Sequence, residues 1–259
     1  MKSKRVLVVS DFHCGHLVGL TPPGFDADRE PQRHREFYDM RRTIWRWFKR
    51  TVSRLSPIDI LIVNGDAIDG KGPASGGTEQ LYMDRKDQSD MATSIIKTID
   101  AKKIVMSYGT PYHSGKDEDW EDIVAYNVGA EKIGGEDVID VSGLVINYRH
   151  HVGRSTIPHG RFTPIAKEML WNLLWAERGE YPKADVLIRS HVHYHVAAQT
   201  SEWLAMTTPA LQGYGTKYGG RRMSGTVDIG VVVFDVTSRG EYTWNPVILR
   251  LNEQRPILL

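Results

Sequence analysis

Through the first half of the chain, short apolar runs take turns with longer amphipathic stretches. Val6-Leu7-Val8-Val9, the run from Ile58 to Val63 and Ile104-Val105-Met106 predict three buried strands. Between and after them, apolar residues recur at helical spacing. Phe37, Met40, Ile44, Phe48, Val52 and Leu55 form the stripe of a helix over 31–55, and Met91, Ile95 and Ile99 that of a helix over 84–99. A third helix is predicted over 117–129. Strand and helix alternating three times argues for a parallel sheet built from strand–helix–strand units.

The second half is richer in strands. Residues 138–141 and 144–148 flank Ser142-Gly143 and predict a hairpin. Thr163-Pro164 predicts a helix start, with Thr as the capping residue and Pro at the first helical position; the helix runs to Arg178 and stops at Gly179. Another buried strand covers 184–189, and further strands fall near 196–200, 203–207, 230–236 and 243–251. No repeat or linker interrupts the chain, so residues 1–259 are expected to form one domain of two packed sheets with outer helices.

Composition adds bounds. The 259 residues carry 41% hydrophobic and 25% charged residues, ordinary for a globular protein with a sizeable core. The net charge of +1 neither demands nucleic acid nor excludes it. Cys14 is the only cysteine, which rules out an intrachain disulfide and reads best as a small filler in a turn. Lys2-Ser3-Lys4-Arg5 precedes too short an apolar run for a signal peptide, and no run could span a bilayer, so a cytoplasmic protein without membrane contact is expected. Arginines 29, 33, 35, 41, 42, 46, 50 and 54, with Trp45 and Trp47, crowd the first helix and suit phosphates and stacked bases. Glu30, Glu36 and Asp39 dilute that charge and favour a solvated face with partly packed rings.

The candidate chemistry sits where strands stop. Asp11 and His13 follow the first strand, Asp66 and Asp69 the second, His113 the third, His150 and His151 the hairpin, and His191 and His193 the strand over 184–189. Residues two apart in extended chain share a side, so Asp11 and His13 are expected to aim at one centre. Carboxylate and neutral imidazole together suit borderline divalent metals. A single strand-end His is usually structural; five such ends in succession are not readily coincidental.

In this order, Asp-x-His, Gly-Asp-x-x-Asp, a Gly-x…His turn, a strand-end His and Ser-His-x-His resemble the calcineurin-like metallophosphoesterases, over Val6 to His193. The style of the chain is also similar to phage and prophage members, which would place it in a host cytoplasm. The resemblance implies an α/β fold of two facing mixed sheets flanked by helices, a four-layer sandwich with two divalent ions. Asp11, His13 and His193 would hold the first, His150 and His191 the second, and Asp66 would bridge them. His150 is preferred to His151 because the family's histidine lies right at the strand end. Two ions polarise phosphoryl oxygens and supply a hydroxide at neutral pH. Manganese is the expected metal, and iron, zinc or nickel also suit such ligands.

One departure stands out. The family has Gly-Asn-His-(Asp/Glu) after the third strand, and here the turn reads Gly109-Thr110-Pro111-Tyr112-His113. His113 is the counterpart of the family's substrate-facing, proton-donating His. The Asn ligand is missing, Thr110 is a poorer neutral one, and Asn64 is a less apt substitute. Asp69 is expected to orient ligands through hydrogen bonds. His16 and His195 lie close enough in sequence to line the pocket, whereas His34 and His159 read as surface residues. The segment 214–222 reads as a mobile loop whose Lys217, Arg221 or Arg222, with Thr110, would bind a substrate phosphate, or else as an ordinary hairpin loop. The expected function is metal-dependent hydrolysis of a phosphodiester from nucleic acid or a nucleotide. The alternatives are a phosphomonoesterase, a non-catalytic phosphate- or nucleic-acid-binding module on a decayed scaffold, and a structural single-metal site.

Overall fold

The computed structural model describes residues 3–25, 37–115, 119–222 and 225–251. The start predicted for the first helix, the arginines and acids of 29–36, and His34 lie outside them, as does the side chain of Arg222.

The apolar runs become the inner strands of two sheets. β1 (Lys4–Val9), β2 (Ile58–Asn64), β3 (Ala101–Ser107) and the short β4 (Lys132–Gly134) run parallel. β10 (Ile229–Val236) joins β1 antiparallel, and β11 (Tyr242–Leu249) joins β10, giving the order β11-β10-β1-β2-β3-β4. The second sheet has the order β5-β6-β7-β9-β8, from β5 (Asp137–Val141), β6 (Leu144–Tyr148), β7 (Val186–Arg189), β8 (Val196–Gln199) and β9 (Leu204–Thr207). It is also mixed, with β6, β7 and β9 parallel and both edges antiparallel.

Alternation along β1 shows how the layers stack. Val6 and Val8 point between the sheets, against Ile146, Ile188, Leu204 and Met206. Leu7 and Val9 point the other way, into a core shared with α1 (Tyr38–Leu55), α2 (Arg85–Lys97) and α4 (Trp120–Val128); the single turn α3 (Pro111–Ser114) follows β3 outside that core. On the far side, Ile165 and Met169 of α5 (Phe162–Glu177) cover Leu187 and Ala205. The result is helices, six-stranded sheet, five-stranded sheet and helix: the four-layer α/β sandwich with two mixed sheets. Among the described residues, no helix is long and apolar enough to cross a membrane.

Three elements differ from the sequence pattern. α5 begins at Phe162 rather than after Thr163, continuing a 3-10 turn over Pro158–Arg161. Pro164 is tolerated there because first-turn amides have no intrahelical acceptor. Residues 217–222 form the short helix α6 (Lys217–Arg222) rather than a loop. In α1, Arg41 belongs to the buried face and not the solvated one: it is 0% exposed and donates to the Leu17 carbonyl at 2.8 Å. Trp45 and Trp47 of α1 are partly buried against the core, as packed rings rather than a stacking surface.

Candidate metal centre

The carboxyl ends of β1, β2, β3, β6 and β7 meet at one place, joined by a buried chain of polar side chains. Ser10 Oγ lies 2.8 Å from Thr208 Oγ1, which lies 2.7 Å from Ser190 Oγ. Asn64 Nδ2 donates to Ser190 Oγ at 2.7 Å, and Ser107 Oγ donates to Asn64 Oδ1 at 2.7 Å. This chain ties both sheets together directly below the candidate ligands. It also commits the amide oxygen of Asn64, which is therefore not a spare ligand.

Of the six non-glycine residues with left-handed backbone among the described residues, five lie here beyond the strands: Asp11 (φ 52°), His13 (46°), Asp66 (50°), His191 (70°) and His193 (55°). Non-glycine residues adopt this region rarely and at a cost of about 1–3 kcal/mol each. Asp11 and His13 therefore converge through alternating left-handed residues and not through strand pleat, since β1 ends at Val9. The loops hold one another in place: Asp11 N donates to Gly65 O, His13 N to Asp66 O and Cys14 N to Ala67 O at 3.0–3.1 Å. Gly65, at φ 76°, is needed because a Cβ there would sit 2.6 Å from the His150 ring.

Three groups of ligand atoms result among the described residues, each within 4.8 Å of one another: Asp11, His13 and His193; Asp66, His150 and His191; and His13, Asp69 and His113, in which the contacts of His13 Nδ1 and His113 Nδ1 with Asp69 already engage the three residues with one another. In the first, His193 Nε2 lies 3.2 Å from Asp11 Oδ1 and 3.1 Å from His13 Nε2. In the second, His150 Nε2 lies 3.0 Å from Asp66 Oδ2. That same Asp66 oxygen is 3.9 Å from His13 Nε2, so the carboxylate faces both groups. His151 packs outside, its ring 4.9 Å from that of His191.

Tautomers follow from the partners. His13 Nδ1 faces the Asp69 carboxylate at 2.8 Å, and His150 Nδ1 faces the Asn64 carbonyl at 2.8 Å. Neither oxygen can donate, so both Nδ1 atoms carry the hydrogen and both Nε2 atoms turn toward the carboxylates. Both oxygens of Asp11, which is 0% exposed, and Nε2 of His150 are buried without a hydrogen-bond partner. Unpartnered lone pairs crowded this closely fit a cation between them.

The electrostatics agree. Burial opposes ionisation of Asp11, but His193 and His150 override it and hold its pKa at about 2. Burial likewise opposes charge on His150, yet Asp66 and Asp11 push it up to about 10. His113 is pushed to about 9 against its burial by Asp66 and Asp69. Burial and the neighbouring His150 lower His191 to about 4. Protons on His150 and His113 thus balance the carboxylates where a metal ion would otherwise do so.

The departing turn has its own arrangement. Thr110 N donates to Asp66 Oδ1 at 2.7 Å, and its hydroxyl lies 3.2 and 3.3 Å from the two carboxylate oxygens. His113 Nδ1 donates to the Asp69 carbonyl at 2.9 Å, leaving Nε2 4.0 Å from Asp66 Oδ2. Asp69 also accepts from Gln80. Glu121, 0% exposed, accepts from Ala67 N and Gly109 N at 2.6 Å each and clamps the two loops together. Sequence reading missed it because an acid near a helix start is unremarkable. It also missed a ring of charges beside His150 and His191. Arg149 and Arg189, which directly precede His150 and Ser190-His191, both pair with Glu136 and Glu168.

These groups open into a cleft of about 860 Å³. It is lined by His13, Asp66, His113, His191 and His193, and also by His16, Tyr112, Arg154, Tyr218 and Arg250. Thr216 and Tyr218 represent the α6 segment, held by Glu79 through Thr216 Oγ1 at 3.0 Å and Tyr218 N at 2.6 Å. Lys217 and Arg221 are exposed and do not line the cleft. His195 bonds the Thr207 carbonyl and lies outside the cleft lining, and His159 is exposed.

Fold and site together define an α/β protein with a buried Asp/His cluster suited to metal. In motif order and in its pair of mixed sheets it resembles the calcineurin-like metallophosphoesterases. No family model and no curated protein matches the chain. Among solved structures it is similar to a single mutant of Vps29 from Entamoeba histolytica, with 14% identity, 95% of this chain and 99% of that one covered, and a TM-score of 0.43. A novel archaeal phosphodiesterase shows 14% identity, 94% and 99% coverage, and a TM-score of 0.44. Wild-type Vps29 from Entamoeba histolytica with zinc shows 15%, 94% and 98%, and 0.40. At such identities the chemistry rests on the residues themselves.

Proposed function

We propose that the chain is a metal-dependent phosphoesterase that prefers phosphodiesters. The observation that carries this reading is the pair of adjoining ligand groups facing a shared Asp66, with the hydrogens of His13 and His150 committed on their far sides. Asp11, His13 and His193 would hold one ion, and Asp66, His150 and His191 the other. Nitrogen and carboxylate donors of this mix suit manganese, iron, zinc or nickel. When bound, two such ions polarise phosphoryl oxygens and lower the pKa of water to near neutrality.

The chain's own residues do the rest. Thr110 N–H and Glu121 fix Asp66 and its loop. His113 holds its ring by Nδ1–H to the Asp69 carbonyl, and its Nε2, turned toward the cleft, would carry the proton offered to the leaving oxygen. The cleft extends well beyond the volume of one phosphate, which suits an ester substituted on both sides.

Metal analysis and bis(p-nitrophenyl) phosphate hydrolysis, on the native protein and on Asp66→Asn, test the proposal. About two ions per chain and hydrolysis abolished in the variant are expected. Absence of bound metal together with no hydrolysis after manganese is added refutes it, and activity confined to p-nitrophenyl phosphate replaces the diester by a monoester.

A further inference from the structure

The departing turn does more than omit an asparagine: it places a tyrosine beside the residue assigned to proton donation. Tyr112 is 40% exposed, lines the cleft, and lies edge-to-face against His113 with ring centroids 4.8 Å apart. Its hydroxyl accepts a hydrogen bond from Ala74 N at 2.8 Å, across to the loop that follows β2. α3 fixes the base of the side chain, and Ala74 fixes its tip. The ring is therefore held still, with its polar group engaged.

Such a ring offers a flat apolar surface, with its hydroxyl oxygen anchored at the edge by Ala74 N. That is the property of a stacking platform, which accepts any base because every base has a π-face. The surroundings suit a nucleoside attached to a phosphate. Tyr214 and Tyr218 line the same cleft, Arg154 adds positive charge along it, and Arg250 also lines it while paired with Asp228. A volume of about 860 Å³ is in the range for a ligand of nucleotide size and far too large for phosphate alone. Trp45 and Trp47, the aromatic residues that first suggested nucleic acid, pack from α1 against the core and do not line the cleft.

We infer that Tyr112 is a specificity-determining residue that stacks on the base of a nucleoside-bearing phosphodiester. The inference rests on the phosphoesterase reading of the same site. It makes the Thr110-Pro111-Tyr112 sequence a substrate-selecting feature in place of a ligand turn. Both a free nucleotide ester and single-stranded nucleic acid present this chemistry.

The test compares the metal-loaded native protein with Tyr112→Leu and Tyr112→Phe. One readout is kcat/KM for the p-nitrophenyl ester of thymidine 5′-phosphate relative to methyl p-nitrophenyl phosphate. The other is the affinity for thymidine 5′-phosphate relative to inorganic phosphate, by calorimetry. Base stacking predicts that the native protein favours the thymidine compound by about tenfold in both ratios. Both ratios should fall toward unity in Tyr112→Leu and be largely kept in Tyr112→Phe. Equal ratios in native protein and Tyr112→Leu overturn the inference, as does loss of the preference in Tyr112→Phe, which would assign it to the hydroxyl. If no ester is hydrolysed the phosphoesterase reading fails, while the affinity ratios still decide whether Tyr112 stacks on a base. Cleavage of oligothymidylate faster than the mononucleotide ester assigns nucleic acid as the source, and slower cleavage assigns a nucleotide.

Discussion

Asp69 is the residue through which one substitution should separate ligand orientation from ligand identity. Its Oδ1 accepts from His13 Nδ1 at 2.8 Å, its Oδ2 accepts from Gln80, and its main-chain oxygen accepts from His113. None of these atoms belongs to the two ligand groups that contain Asp11 or Asp66. Asp69→Ala keeps the main-chain contact and removes the carboxylate from His13, from Gln80 and from His113, whose Nδ1 also lies 3.3 Å from Oδ1. His13 then loses the partner that fixes its tautomer and aims Nε2. A charge-assisted hydrogen bond of this kind is worth about 1.5–3 kcal/mol. Loss of a partner behind a metal ligand weakens metal binding by about 10–100-fold, which is about 1.4–2.8 kcal/mol. The two magnitudes agree.

Asp69→Asn sharpens the comparison. Its amide oxygen can still accept from His13, which turns its NH₂ toward the Gln80 NH₂. Gln80 can rotate its own amide to offer Oε1, at present engaged only by a 3.5 Å contact from Gln88. The expected loss in Asp69→Asn is therefore tenfold or less, short of that in Asp69→Ala. Competition with a chromogenic zinc chelator reads both affinities. Native affinity in Asp69→Ala, or a larger loss in Asp69→Asn than in Asp69→Ala, would refute the orienting role.

Three further outcomes are expected. Gly109→Ala places a Cβ 2.2 Å from Asp66 Oδ1 and 2.4 Å from its amide; it should destabilise the fold by about 1–3 kcal/mol in urea unfolding and lower bound metal, and unchanged metal content would contradict the close approach. Glu168→Ala leaves Arg189, 1% exposed, short of one of its two carboxylates and should cost about 3 kcal/mol, read in the same assay. In metal-free protein the pKa values of His113 and His150 stand above the 6.5 of free imidazole, so the folded state binds their protons more tightly. Their stabilisation is fully present below pH 6.5 and is lost as pH rises toward 9 and 10, so the melting temperature should fall across that window and saturating metal should flatten the slope. A metal-free melting temperature that rises from pH 7 to 9 would be the wrong sign.

Much of this site was legible in the chain because ligand chemistry depends on a few side-chain types at strand ends. Asp11, His13, Asp66, Asp69, His113, His150, His151, His191 and His193 became candidates as soon as the apolar runs before them were read as strands, and the resemblance to the metallophosphoesterases singled out six of them as expected ligands. How they converge could not be read in this way. The pleat rule placed Asp11 and His13 on one side for a reason that fails here, because left-handed backbone does the work beyond Val9. Left-handed conformation at Asp or His leaves no mark in composition, unlike glycine. The supporting residues were invisible for a related reason. Glu121, Glu168 and Gln80 occupy ordinary helix or loop positions, and only tertiary contact gives them their roles. Arg41 shows the reverse error: charge in an amphipathic helix predicts solvent, and here a buried carbonyl receives it.

The turn after β3 joins these two kinds of information. An asparagine there would present a neutral oxygen to an ion. Thr110 presents a backbone N–H, which can only donate, to Asp66 Oδ1. The turn is thus a clamp on the Asp66 carboxylate where the family pattern has a ligand. A carboxylate with one oxygen engaged by Thr110 and the other facing both His13 and His150 is left with Oδ2 as its freer donor. Asp11, by contrast, keeps both oxygens free of hydrogen bonds. The two ligand groups are consequently unequal. The group built on Asp11 is the better equipped, and the group built on Asp66 leans on His150 and His191, which the Arg149–Glu136–Arg189–Glu168 ring braces from behind. Where the family pattern has a ligand, this turn places a rigid aromatic side chain in the cleft, so under the proposed function the same few residues would both leave one ion site with fewer ligands and shape the space open to a substrate.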